Sequence, residues 1–124
     1  MIILDIGNIY RATIKGTKMD TAPGLIGKGA NTRIQNFRAL NFELEVFDEN
    51  GKLIGTLPSG ISATNTSSHN SPLIRFFRSI GIYRDPEEFS PNELDGLNVR
   101  ISVNNTCDGH GLRSIVNEFY PTIV

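Results

Sequence analysis

The order in which structural signals follow one another along this chain leaves few folds open. Three strand-like runs come first, a single well-capped helix follows, and two more strand-like runs come after it. The helix signal is the sharpest. Ser71 stands as N-cap, Pro72 occupies the first helical position, and Gly81 supplies the left-handed stop. Between them Leu73, Ile74, Phe76, Phe77 and Ile80 form a wide apolar face, with Arg75, Arg78 and Ser79 as the exposed strip. Such an order predicts an all-β domain with one helix: a five-stranded barrel in which the helix plugs one end between strands three and four.

The strands differ in clarity. The first, over residues 8–19, sets Tyr10, Ala12 and Ile14 on one face and Arg11, Thr13 and Lys15 on the other. Residues 20–36 hold Pro23, Gly24, Gly27 and Gly29 with little periodicity and read as a long loop. The second strand, over residues 39–47, alternates cleanly. Leu40, Phe42, Leu44 and Val46 point to the core, and Asn41, Glu43, Glu45 and Phe47 point outward. Residues 48–51, ending in Asn50-Gly51, are a hairpin turn. The third strand returns over residues 52–57, breaks or bends at Pro58-Ser59-Gly60 and continues over 61–64, before a polar loop over 65–70. After the helix, Ser90 and Glu93 form a capping-box pattern around Pro91, predicting one short helical turn. The last hairpin joins residues 97–104 to 111–119 through a turn over 105–110, with a bulge expected near Ser114.

The 124 residues suit one domain with a core that needs no staple. No apolar stretch approaches the ~20 residues of a membrane helix. The single Cys107 offers no intramolecular disulfide, in keeping with a cytoplasmic protein. Charge is polarised. Residues 1–40 carry six basic and two acidic side chains, a balance of +4, whereas residues 41–124 carry six and eleven, a balance of −5. A basic first third can draw phosphates.

The segment order is the plan of the OB-fold, a small partly open barrel that binds oligonucleotides or oligosaccharides. Several short motifs appear in succession: Gly7-Asn8-Ile9-Tyr10-Arg11-Ala12-Thr13-Ile14, the helix over 71–81, the acidic connector Asp85-Pro86-Glu87-Glu88-Phe89, the strand entry Leu94-Asp95-Gly96-Leu97-Asn98-Val99-Arg100-Ile101, and the closing Ile115-Val116-Asn117-Glu118-Phe119-Tyr120-Pro121 after Asp108-Gly109. In that succession the chain resembles a family of small phage-encoded OB-fold proteins that bind single-stranded DNA, found in replication and recombination gene clusters. The resemblance implies sequence-tolerant single-strand binding, phage replication or recombination proteins as partners, and the host cytoplasm as location. Two departures stand out. No aromatic residue follows the turn glycine of the last hairpin, and no acidic tail is seen that would recruit partners.

Single-strand binding needs cations along the phosphates and flat side chains under the bases. The cationic candidates are Arg11, Lys15, Lys18, Lys28, Arg33, Arg38 and Arg100; the stacking candidates are Tyr10, Phe37 and Phe47, with Tyr120 behind them. Glu43 and Glu45 on the outward face oppose phosphate binding there. Gly27-Lys28-Gly29 lacks the phosphate-loop pattern. Cys107 and His110, with only His69 besides, fall short of a zinc set, so neither metal nor cofactor is expected. No catalytic constellation appears, and the expectation is a binding protein, not an enzyme. The alternative is a β-barrel protein-interaction module, a virion component or an inhibitor of a host defence protein, which the acidic remainder of the chain suits. Exposed edge strands of a small barrel leave a homodimer open.

Overall fold

The computed structural model describes residues 3–64, 71–109 and 111–122. The polar loop expected over 65–70, with His69, and the histidine of the last turn, His110, lie outside the described residues. The elements run β1 (Ile9–Ile26), β2 (Arg33–Phe47), β3 (Leu53–Ser62), α1 (Pro72–Ser79), β4 (Asn98–Asp108) and β5 (Gly111–Pro121), with short 3-10 turns over Gly29–Asn31 and Pro91–Leu94. All ladders are antiparallel, in the order β3-β2-β1-β4-β5.

The core is the inner face of this sheet. Ala12 and Ile14, the even positions Leu40 to Val46 of β2, Leu57, and Val99, Ile101 and Val103 are all buried there. Helix α1 covers the open end with Leu73, Phe76 and Phe77. Its ends follow local chemistry: Ser71 Oγ accepts from the backbone N–H of Ile74 at 3.3 Å, and Gly81 takes φ +78°. At the far end, Leu4 N–H donates to buried Ser114 Oγ at 2.7 Å, which itself bonds Asn105 Oδ1 at 2.6 Å, clipping the N-terminal segment onto the last hairpin.

Closure into a barrel is not observed. β3 and β5 approach within 8 Å between Cα atoms, but no ladder joins them among the described residues. Aromatic side chains occupy the seam instead. Phe76 lies 5.6 Å from Phe42 and 4.9 Å from Phe119, centroid to centroid, and the groove between the two strand edges is lined by Ile61, Phe76 and Phe119.

The expected long loop over 20–36 is also overturned. β1 and β2 pair continuously out to Ile26↔Arg33, so all but the tip is a two-stranded arm reaching beyond the sheet. Pairing satisfies the backbone despite Pro23 and Gly24, and Gly24 has a purpose. A Cβ there would sit 2.4 Å from Phe37, whose ring lies flat across this glycine. In Gly24→Ala the ring must swing away. We expect the ring-current shifts of the Gly24 backbone protons to vanish from the NMR spectrum, with global stability changed by less than ~1 kcal/mol because the arm is peripheral.

Other differences are smaller. β3 runs through Pro58 without a break. The last bulge lies in β5 as expected, with Asn117 as the extra residue opposite the Ser102–Val103 step, three residues beyond Ser114. Ser90 makes no side-chain cap bond: the Glu93 N–H donates instead to the Ser90 carbonyl at 2.9 Å, and the Glu93 side chain pairs with Arg84 at 2.8 Å.

The arm leaves the sheet at a bulge between Lys15 and Lys18, where Gly16 takes φ +60°, a conformation that favours glycine. Asp95 fixes it. Its Oδ1 accepts from Thr17 N–H at 2.8 Å, and Gly96 N–H donates to Ile14 O at 2.7 Å. The Thr17 backbone N–H, helped by the charge of Lys15, holds the Asp95 carboxyl below its ordinary 3.8. A carboxylate with a depressed folded pKa stabilises above the unfolded value and ceases to as pH falls through the folded one. Urea midpoints of wild type and Asp95→Asn should therefore differ at neutral pH and converge below the ordinary carboxylate value.

Candidate nucleic-acid interface

Strand register assembles one row of side chains that spacing along the chain could not reveal. Arg100 pairs with Tyr120 between β4 and β5, Arg11 with Arg100 between β1 and β4, and Arg11 with Phe47 between β1 and β2. Residues directly opposite in a ladder share a face. Tyr120, Arg100, Arg11 and Phe47 thus stand side by side on the outward face, spanning roughly 15 Å at the usual ~4.8 Å strand spacing.

Each arginine is braced by a backbone carbonyl. Arg11 Nη2 donates to Glu49 O at 3.3 Å, and Arg100 Nε donates to Pro121 O at 3.1 Å. The Arg100 guanidinium also lies 5.9 Å from the Tyr120 ring centre, at the outer reach of a cation–π contact. Neither arginine has a carboxylate within ion-pairing distance among the described residues, where the pairs formed are Lys15–Glu45 and Arg84–Glu93. Like charges directly opposite one another in a ladder cost a few tenths of a kcal/mol to about 1 kcal/mol. Two braced forks with unused N–H donors, set between two half-buried rings, are suited to a planar or tetrahedral oxyanion. Carboxylates stand at the rim: Glu118 accepts from the Tyr120 hydroxyl at 2.8 Å, and Asp48 and Glu49 line a cavity together with Arg11 and Phe47.

The other sequence candidates are distributed differently. Tyr10 is turned to the inner face, where it packs against the core and its hydroxyl accepts from Asp5 N–H at 2.9 Å. Lys15 is on the outward face but pairs with Glu45 at 3.7 Å and stands opposite Glu43, so one lysine meets two glutamates and the middle of the face is net acidic. Lys18 opens the arm beside Asn41. Lys28 lies at the exposed tip, and Arg33 begins β2 there. Phe37 shares the outward parity of Arg33 and Phe47, while Arg38 faces the opposite way with Thr21, half-buried at the arm's base. The outward face of β1 and β2 is therefore interrupted: cationic and aromatic at the row, net acidic in the middle at Lys15, Glu43 and Glu45, and cationic and aromatic again along the arm.

Sequence reasoning missed two features. One is the Arg11–Arg100 juxtaposition, which depends on register between strands almost ninety residues apart. The other is the exposed pair Leu25 and Ile34 on the arm, which alternation within a stretch read as loop could have signalled. Among the described residues no group of three His, Cys, Asp or Glu side chains gathers as a metal would require, and no helix is long and apolar enough to cross a membrane.

No protein-family model, no curated protein and no solved structure matches this chain.

Proposed function

We propose that this is an OB-type domain that binds single-stranded DNA with little sequence preference. The strand order and the helix between β3 and β4 support an OB plan, which in any case tolerates a partly open barrel. The observation that carries the reading is the row Tyr120–Arg100–Arg11–Phe47: braced arginines with no carboxylate partner among the described residues, flanked by rings. Phosphates neutralise the arginine pair, and bases stack on Phe47 and Tyr120 at ~1–3 kcal/mol each. The arm, with Lys18, Phe37 and Arg33 on the same outward face, extends the track. The resemblance to phage single-strand-binding proteins supports a role in phage replication or recombination within the host cytoplasm.

The test is fluorescence anisotropy of labelled oligo-dT over a sodium chloride series. The logarithm of the binding constant should fall linearly with the logarithm of salt, by about 0.7 in slope for each phosphate contacted. No anisotropy change at low salt overturns the proposal.

A further inference from the structure

Beside the arginine row the outward face is hollowed. A cavity of about 290 Å³ opens against Arg11 and Phe47, and Thr13, Asn98 and Thr122 supply the rest of its polar lining. Ligand cavities run from about 300 Å³ upward, so this one suits a single flat ring system. Phe47, half-buried, gives it an aromatic wall, and the Arg11 guanidinium, braced on the Glu49 carbonyl, stands beside that wall.

The far side of the cavity is built from acceptors. Thr13 and Asn98 are the next outward pair of the β1–β4 ladder beyond Arg11 and Arg100. Thr13 Oγ1 donates to Asn98 Oδ1 at 2.9 Å, and Thr122 Oγ1 donates to the Asn98 backbone carbonyl at 2.5 Å. A hydroxyl has one proton. Both are committed within the protein, so toward a ligand these two oxygens only accept. The Thr13 bond also fixes the Asn98 amide: Oδ1 is held at Thr13, which leaves Nδ2 as the donor side. Glu45, directly across the β1–β2 ladder from Thr13, is again an acceptor.

We propose that this cavity takes one base of the bound strand and favours a base with an exocyclic amino group, cytosine or adenine, over thymine or uracil. The inference rests on the single-strand reading above and adds a preference at one position to otherwise sequence-tolerant binding. The base stacks on Phe47. Its amino group donates to the threonine oxygens, and Arg11 or Asn98 Nδ2 donates to the ring acceptor beside it. Thymine and uracil carry a carbonyl where cytosine carries its amino group. That carbonyl meets oxygens with no proton to offer, and the Asn98 amide, pinned by Thr13, does not turn to serve the reversed pattern.

Fluorescence anisotropy with labelled oligo-dC and oligo-dU of equal length tests it, at low salt and slightly alkaline pH, where cytosine carries no proton. The two strands match in backbone charge and ring size and differ at the base edge. Wild type should bind oligo-dC tighter by about 5-fold or more, the low end of what one base-edge contact discriminates. The salt slopes of the two should be parallel, because the preference is not a phosphate contact. Thr13→Val keeps the β-branched shape but frees the amide and removes an acceptor, and the ratio should fall towards one. Thr122→Val should lower it as well. Equal affinity for the two strands in wild type, or tighter binding of oligo-dU, overturns this proposal and spares the single-strand reading. A preference for oligo-dC that survives both threonine changes intact overturns it too, since the selection then lies outside the cavity. Binding of neither strand overturns both.

Discussion

Replacing Arg11 and Arg100 together with alanine should weaken oligo-dT binding by at least about 100-fold at low salt, while leaving the fold as stable as before to within ~0.5 kcal/mol. Hydrogen bonds to charged groups contribute ~1.5–3 kcal/mol each, and 1.4 kcal/mol is about a factor of ten. The two side chains are adjacent, so their effects are not strictly additive, and the lower end of the range is the expectation. The salt slope should fall by roughly 1.4, at about 0.7 per phosphate on a single strand. Stability is spared because each arginine's visible bonds are single, exposed contacts to carbonyls, those of Glu49 and Pro121. Removing like charges from opposite ladder positions compensates for their loss. Lysine at both positions should keep most of the slope but lose affinity, since a point charge replaces a planar fork. A double alanine variant that binds like wild type would remove the row from any role in DNA binding.

What could be read in the sequence was whatever short-range chemistry decides. The helix begins at Ser71 and stops at Gly81 because a cap oxygen and a left-handed glycine act within one turn. The β2–β3 turn forms as expected because Asp48 Oδ1 accepts from the N–H groups of Asn50 and Lys52, and Gly51 takes φ +80°. The alternation of β2 gave its inner and outer faces correctly, as the burial of Leu40, Phe42, Leu44 and Val46 shows. Cross-strand effects were not legible. Glycine and proline over residues 20–36 look like loop until Phe37 is seen covering Gly24 and Leu25 is seen opposite Ile34. The capping-box bonds at Ser90 gave way to rivals: the Glu93 N–H donates to the Ser90 carbonyl, and the Glu93 side chain pairs with Arg84, which only the folded connector brings near. The candidate cations were identified one by one, but which of them stand together is a matter of register, and register joined Arg11 to Arg100 while leaving Lys28 and Arg33 at the arm's tip.

The largest loss of stability should come from Phe76→Ala, at about 3–5 kcal/mol. Total stabilities of domains are ~5–15 kcal/mol, so this is about a fifth of the whole at the least, and the melting temperature should drop by roughly 12–20 °C at about 4 °C per kcal/mol. Phe76 is 4% exposed and sits where three elements meet. It stacks on Phe42 of β2, takes an edge contact from Phe119 of β5, and adjoins Phe77 of its own helix at 6.1 Å. Its position makes the consequence specific. No ladder bridges β3 and β5 among the described residues, so this aromatic cluster is what couples the two edges of the sheet. Losing the ring should therefore uncouple them unevenly: amide protection in β5 should fall further than in β1 and β2, whose central ladders do not pass through the seam. Phe76→Leu keeps much of the volume and should recover most of the stability, and Arg78→Ala on the exposed strip should change little. If hydrogen exchange instead shows β5 losing protection only in step with the rest of the sheet, the two edges are held by more than side-chain packing. The seam would then be a closed ladder in solution.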